Sequence, residues 1–144
     1  MSTQTLPTRL AEIVDGFVAS EPRERLELLL EYSQTLPPLP DRLAEHPERL
    51  ERVPECQSPL FVAAEVDGDG RVHLFFDAPP ESPTTRGFAG IFHAALDGAP
   101  ADEVLAVPGD VSARLALANV VSPLRMRGAD ALLNRVQRQV RTQL

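Results

Sequence analysis

Apolar residues recur along the first part of the chain with a helical period. Leu10, Ile13, Val14, Phe17 and Val18 fall at i, i+3, i+4, i+7 and i+8, which predicts an amphipathic helix between Leu6 and Ala19 with Pro7 in its first turn. A second helix follows, with Ser20 as its N-cap. There Leu26, Leu29, Leu30 and Ser33 share one face, and Arg23, Glu24, Glu27 and Glu31 lie mostly off it. The pattern then stops: "TLPPLPDRLAEHPERLERVPECQSP" carries six prolines and reads as a long loop with one helical turn. Loops of this length without regular structure are uncommon in compact domains unless they are functional or disordered.

Beyond the loop the period changes to two. "LFVAAEV" and "RVHLFFD" flank Asp67-Gly68-Asp69-Gly70, a strong hairpin signal, so strands are expected over about 59–66 and 71–77. Val72, Leu74 and Phe76 point one way, and Arg71, His73, Phe75 and Asp77 the other, as in a sheet with one face on a helical layer. After the proline loop "APPESPTT", a helix over Arg86 to Leu96 carries the stripe Phe88, Ile91, Phe92 and Ala95, with Gly98 as its stop. Gly87 and Gly90 would weaken that helix by about 1 kcal/mol each in isolation, so their use implies close packing against another element. Short helices are expected over Ala101 to Ala106 and Val111 to Val120. A last one, Gly128 to Gln143, buries Leu132, Leu133, Val136 and Val140. The expected class is α+β, a small antiparallel sheet covered by N-terminal and C-terminal helices.

At 144 residues with 43% hydrophobic content, the chain fits a single domain, 1–144, that folds despite fourteen prolines. No apolar run approaches the ~20 residues needed to cross a bilayer, and "MSTQTLPTRL" lacks the regions of a signal peptide; the expectation is a cytoplasmic protein without a membrane partner. The net charge of −7 argues against a nucleic-acid partner. All fourteen basic residues are arginine, and Arg125, Arg127, Arg135, Arg138 and Arg141 stand against Asp130 alone near the C-terminus, which leaves room for a local basic face.

Chemistry is confined to few candidates. His46, His73, His93 and Cys56 match no recognised zinc spacing, so no metal site is expected. There is no phosphate loop or dinucleotide fingerprint, and "ECQS" matches no familiar nucleophile signature, although a Cys-His hydrolase pair could still meet in space. Cys56 is the only cysteine, so it can form no internal disulfide. Its polar neighbours Glu55, Gln57 and Ser58 and the bracketing Pro54 and Pro59 predict an accessible thiol on a loop. Sulfur transfer between proteins needs an accessible, movable thiol more than a resident triad, and a thiol carrier fits this pattern.

Taken in order, "EYSQTLPPLP", "VPECQSPLF", the strand pair, "TTRGFAGIF" and "VSPLRMRGADALL" resemble the SufE family, sulfur acceptors associated with cysteine desulfurases in iron-sulfur cluster assembly. The resemblance spans nearly the whole chain and implies a fold shared with IscU-like cluster scaffolds. In that family the acceptor cysteine stands in a "GCQS" turn, which corresponds to Glu55-Cys56-Gln57-Ser58. It implies that Cys56 takes persulfide sulfur from a SufS-like desulfurase, stimulates that enzyme, and passes sulfur to an Fe-S scaffold complex. The pyridoxal phosphate belongs to the partner, and the chain acts as an accessory protein with no cofactor of its own. Arg125 in "SPLR" falls on the arginine of the family's "TPSR"-like segment, with Glu55, Gln57 and Ser58 as further partner-binding or loop-supporting residues.

In the free protein Cys56 should pack partly against apolar neighbours, protected from oxidation, and the loop should move to reach a partner. Glu55 stands where the family usually has glycine, so a turn needing positive φ would be strained there, and its carboxylate should raise the thiol's pKa. A cluster scaffold would need several thiolates where this chain has one, which leaves a non-catalytic module regulating the desulfurase allosterically as the main alternative.

Overall fold

The computed structural model describes residues 6–144; residues 1–5, read above for a targeting signal, lie outside the described residues. Its elements run α1 (Thr8–Ala19), α2 (Pro22–Thr35), α3 (Asp41–Ala44), a 3-10 turn at Pro47–Arg49, β1 (Glu51–Arg52), β2 (Phe61–Val66), β3 (Val72–Asp77), α4 (Pro83–Leu96), α5 (Ala101–Leu105), α6 (Val111–Arg114) and α7 (Pro123–Thr142). The class is α+β, as expected, with an antiparallel sheet in the order β1-β2-β3. Val62 pairs with Phe76, Ala64 with Leu74 and Val66 with Val72, and these inward residues are buried except for half-buried Val66.

Prolines account for most of the shifted boundaries. Pro22, Pro83 and Pro123 each occupy the first turn of a helix, where the missing N–H has no intrahelical partner to lose. Hence α4 begins before Arg86 and α7 well before Gly128, with Ser122 Oγ accepting from the Arg125 N–H at 3.3 Å. Ser20 is not the cap of α2. Glu21 is, in a reciprocal capping box with Glu24, while Ser20 Oγ donates back to the Gly16 carbonyl. The proline-rich segment also supplies β1, a two-residue edge strand hidden by its polar composition.

The helix expected over Val111 to Val120 ends at Arg114. Leu115 and Leu117 are both fully buried, and two residues apart on a helix they would point to nearly opposite sides. The chain instead turns through Ala116 at φ 57°, and the Arg25 guanidinium donates to the Ala116 carbonyl at 3.2 Å.

Helices α2 and α4 meet backbone to backbone, the close packing expected of Gly87 and Gly90. A Cβ at Gly87 would lie 2.5 Å from the Leu29 carbonyl oxygen, and one at Gly90 2.1 Å from that of Tyr32. Side chains complete the sheet margins. Gln143, at the C-cap of α7, accepts from the Val66 N–H and donates to the Ala64 carbonyl, and Gln139 accepts from the Ala64 N–H, so β2 is closed beyond the end of β1. On the other margin Asp97 accepts from the Leu74 N–H, and Ala99 accepts from that of Val72. Both edges are blunted without further strands.

Candidate functional site

Residues 53–60 join β1 to β2 as a tied loop. The Val53 N–H donates to the Leu60 carbonyl at 2.9 Å and closes the base, and the Cys56 N–H donates to the Val53 carbonyl at 3.1 Å. This turn leaves Pro54, Glu55, Gln57 and Pro59 exposed and drives the thiol inward. Cys56 is only 9% exposed and belongs to the hydrophobic core with Leu60, Leu132 and Leu133. The accessible thiol read from polar neighbours and prolines is therefore corrected, and the expectation of a thiol packed on apolar side chains holds. Neighbours in sequence face water because a tight turn sends consecutive side chains in different directions, so they report little about the thiol's own surroundings.

Helix α7 makes the seat. A Cβ at Gly128 would lie 2.9 Å from Cys56 Sγ, inside van der Waals contact, so glycine there is what admits the sulfur. Beside it lies a cavity of about 10 Å³, at the lower limit of what holds one water-sized atom. Leu60, Phe88, Ala129 and Leu132 give it apolar walls, and Thr85, Leu124 and Arg125 also line it. Glu55, Cys56, Gln57 and Arg125 from the sequence-predicted set meet at this cavity, whereas half-buried Ser58 does not line it. Arg125 is exposed, and its Nη1 lies 3.5 Å from Thr85 Oγ1.

Burial pushes the Cys56 thiol up from 9.0 to about 11, and the Glu55 carboxylate adds to the rise, while Arg125 and Arg135 pull the other way. In this position the group is a neutral thiol at physiological pH. Glu55 causes no backbone strain: Ala116 is the only non-glycine residue of positive φ among the described residues. Its carboxylate instead pairs with Arg135 of α7, whose Nη2 lies 2.7 Å and 3.0 Å from the two oxygens. Arg135 Nε also lies 3.5 Å from Glu51 of β1, and Glu51 is bound in turn by Arg138 and by Gln139. Two of the five arginines grouped near the C-terminus are thus engaged with acids rather than forming a free basic face.

Gly128, Thr85, Glu51 and Arg135 were not singled out from sequence as site residues. Gly128 left a trace as a glycine at the start of a strongly periodic helix, and Arg135 as one of the five arginines near the C-terminus. Glu55 and Arg135 are 80 positions apart, and no local pattern joins them.

Histidine is absent from the Cys56 cavity. His73 Nε2 lies 2.7 Å from Asp67 and His93 Nε2 3.8 Å from Asp97, both beside a separate groove bordered by Pro37 and Pro38, and His46 pairs with Glu48. The Cys-His pair of a hydrolase is thus not formed by Cys56. Among the described residues no three His, Cys, Asp or Glu side chains converge as a metal group, and no helix is long and apolar enough to cross a membrane.

Comparison with known proteins adds an independent line. A family model described as "SufE: Fe-S metabolism associated domain" matches residues 11–140. A SufE-like protein of Mycobacterium tuberculosis is 50% identical over 137 residues, covering 95% of this chain and 94% of its own. A chloroplastic/mitochondrial SufE-like protein of Arabidopsis thaliana is 31% identical, over 94% of this chain and 36% of its own. The solution structure of a hypothetical protein from Thermus thermophilus superposes with a TM-score of 0.85 at 39% identity, over 96% of this chain and 98% of that one.

Proposed function

This chain belongs to the SufE family, whose members act in Fe-S metabolism, and from that membership we propose that Cys56 accepts persulfide sulfur from a cysteine desulfurase and carries it onward. The observation that supports this most is the placement of the one thiol: on a tied loop, turned into an apolar seat, with no histidine to activate it. A hydrolytic nucleophile needs a base within hydrogen-bond reach. A carrier needs a thiol that stays inert until a partner draws it out.

The transfer step balances without an added oxidant. The Cys56 thiolate attacks the outer sulfur of the partner's persulfide; a new S–S bond forms at Cys56 Sγ, the partner's own S–S bond breaks, and its electron pair leaves on the partner's cysteine as thiolate. Cys56 ends as the persulfide and the partner as a free thiol. Withdrawn, Cys56 is held near pKa 11 largely by burial, so moving the loop toward water removes the main obstacle to ionisation. Presentation and activation are then one event. The partner would be a SufS-like desulfurase bearing pyridoxal phosphate, and the recipient an Fe-S scaffold complex.

The Cys56→Ser variant tests the role of the thiol. In an assay of sulfide release by a desulfurase with cysteine, the intact chain should stimulate turnover and Cys56→Ser should not. Full stimulation by the variant would hand the function to a non-catalytic module that regulates the enzyme allosterically.

A further inference from the structure

We propose that Glu55 and Arg135 form a latch that holds Cys56 in its withdrawn position, so that the thiol is released only when this ion pair parts. The purpose of the latch rests on the carrier reading above; the latch itself is a property of the free chain.

Among the described residues the Glu55–Arg135 pair is the one hydrogen-bonded tie between residues 53–60 and a helix. The other two bonds of the segment, Val53 to Leu60 and Cys56 to Val53, lie within it and hold its shape without fastening it to the body. Burial of Val53 and Leu60 anchors the two ends of the segment in the core, and between them the turn is held by the contact of Cys56 with its seat and by this pair. Glu55 adjoins Cys56, so a restraint on its side chain acts directly on the turn that directs the thiol.

The pair is built to open. The side chain of Glu55 is 46% exposed, so its carboxylate loses little hydration when paired and regains it readily. Arg135, at 21%, is less exposed and would be costly to strand. Its Nε is buried without a hydrogen bond, but Glu51 stays 3.5 Å away and is itself held by Arg138 and Gln139, so the guanidinium keeps a neighbouring carboxylate charge after Glu55 leaves. A partly exposed pair of this kind supports up to about a fivefold bias toward the closed loop, and added salt weakens it.

Alkylation of Cys56 by iodoacetamide, followed by mass spectrometry on the full chain at fixed pH, separates a latch from a simple charge effect. Arg135 lowers the thiol's pKa, so by charge alone Arg135→Gln would make alkylation slower. The latch requires the opposite. Arg135→Gln should react about threefold faster than the unmodified chain, and Glu55→Gln should also react faster. Salt should accelerate the unmodified chain and the conservative Arg135→Lys variant, and have little effect on either glutamine variant. A rate for Arg135→Gln equal to or below that of the unmodified chain would overturn the latch, as would equal salt responses in all four proteins. Glu55 is exposed, so Glu55→Gln should fold even if Arg135→Gln does not, and its salt response alone then decides. No desulfurase takes part, so a chain that latches but accepts no sulfur would pass here and fail the stimulation assay.

Discussion

Burial raises the Cys56 pKa more than Glu55 does, and the guanidiniums of Arg125 and Arg135 offset only part of the rise. Following the thiolate's ultraviolet absorbance with pH should therefore give a midpoint near 11 in the folded protein, against 9.0 for an ordinary thiol. The folded chain keeps its proton where the unfolded chain has lost it, so this contribution is fully present below pH 9.0 and is lost as pH rises toward about 11. Gly128→Ala should move the midpoint back toward 9.0 and speed alkylation, because its Cβ takes the place of the sulfur; an unmoved midpoint would show that the seat does not hold the thiol. That Cys56 belongs to a loop could be read from Pro54 and Pro59. Its burial could not be read from its neighbours and was expected only from the carrier reading, because the seat is made by Gly128 and most of its walls by α4 and α7, remote in the sequence.

Glycine spacing in α4 did reveal a helix-to-helix contact, because Gly87 and Gly90 make sense in a buried helix only where another backbone comes close. Gly90→Ala should cost about 3 kcal/mol or more, since the opposing atom is the Tyr32 backbone oxygen, which cannot swing aside. The loss should appear as a lower denaturant midpoint at unchanged slope. A midpoint equal to that of the unmodified chain would mean that α2 and α4 are not in backbone contact. The hairpin was equally legible, since Asp-Gly turns and strict alternation are local signals. Strand β1 was not, because two polar residues become a strand only by pairing with Val62 and Phe61. Nor was the early end of α6, which is dictated by the joint burial of Leu115 and Leu117. Helices α4 and α7 start ahead of their apolar stripes because Pro83 and Pro123 act as first-turn residues, which the stripe does not report.

Across the molecule, a closed body carries the Cys56 loop with both of its ends buried in the core. Both sheet margins are finished by Gln139, Gln143, Asp97 and Ala99, so a partner meets side chains and the loop rather than open strand edges. The family could be read from the order of short motifs. The cavity, the seat and the latch could not, because each joins residues that are adjacent only after folding. All three bear on the proposed event, the arrival of a sulfur atom at Cys56. Incubation with a cysteine desulfurase and cysteine, followed by mass spectrometry of the non-reduced chain, observes that event directly. The account predicts a gain equal to the mass of one sulfur atom, located on the peptide that carries Cys56 and removed by a reducing agent; an unmodified Cys56 beside an actively turning desulfurase would contradict it.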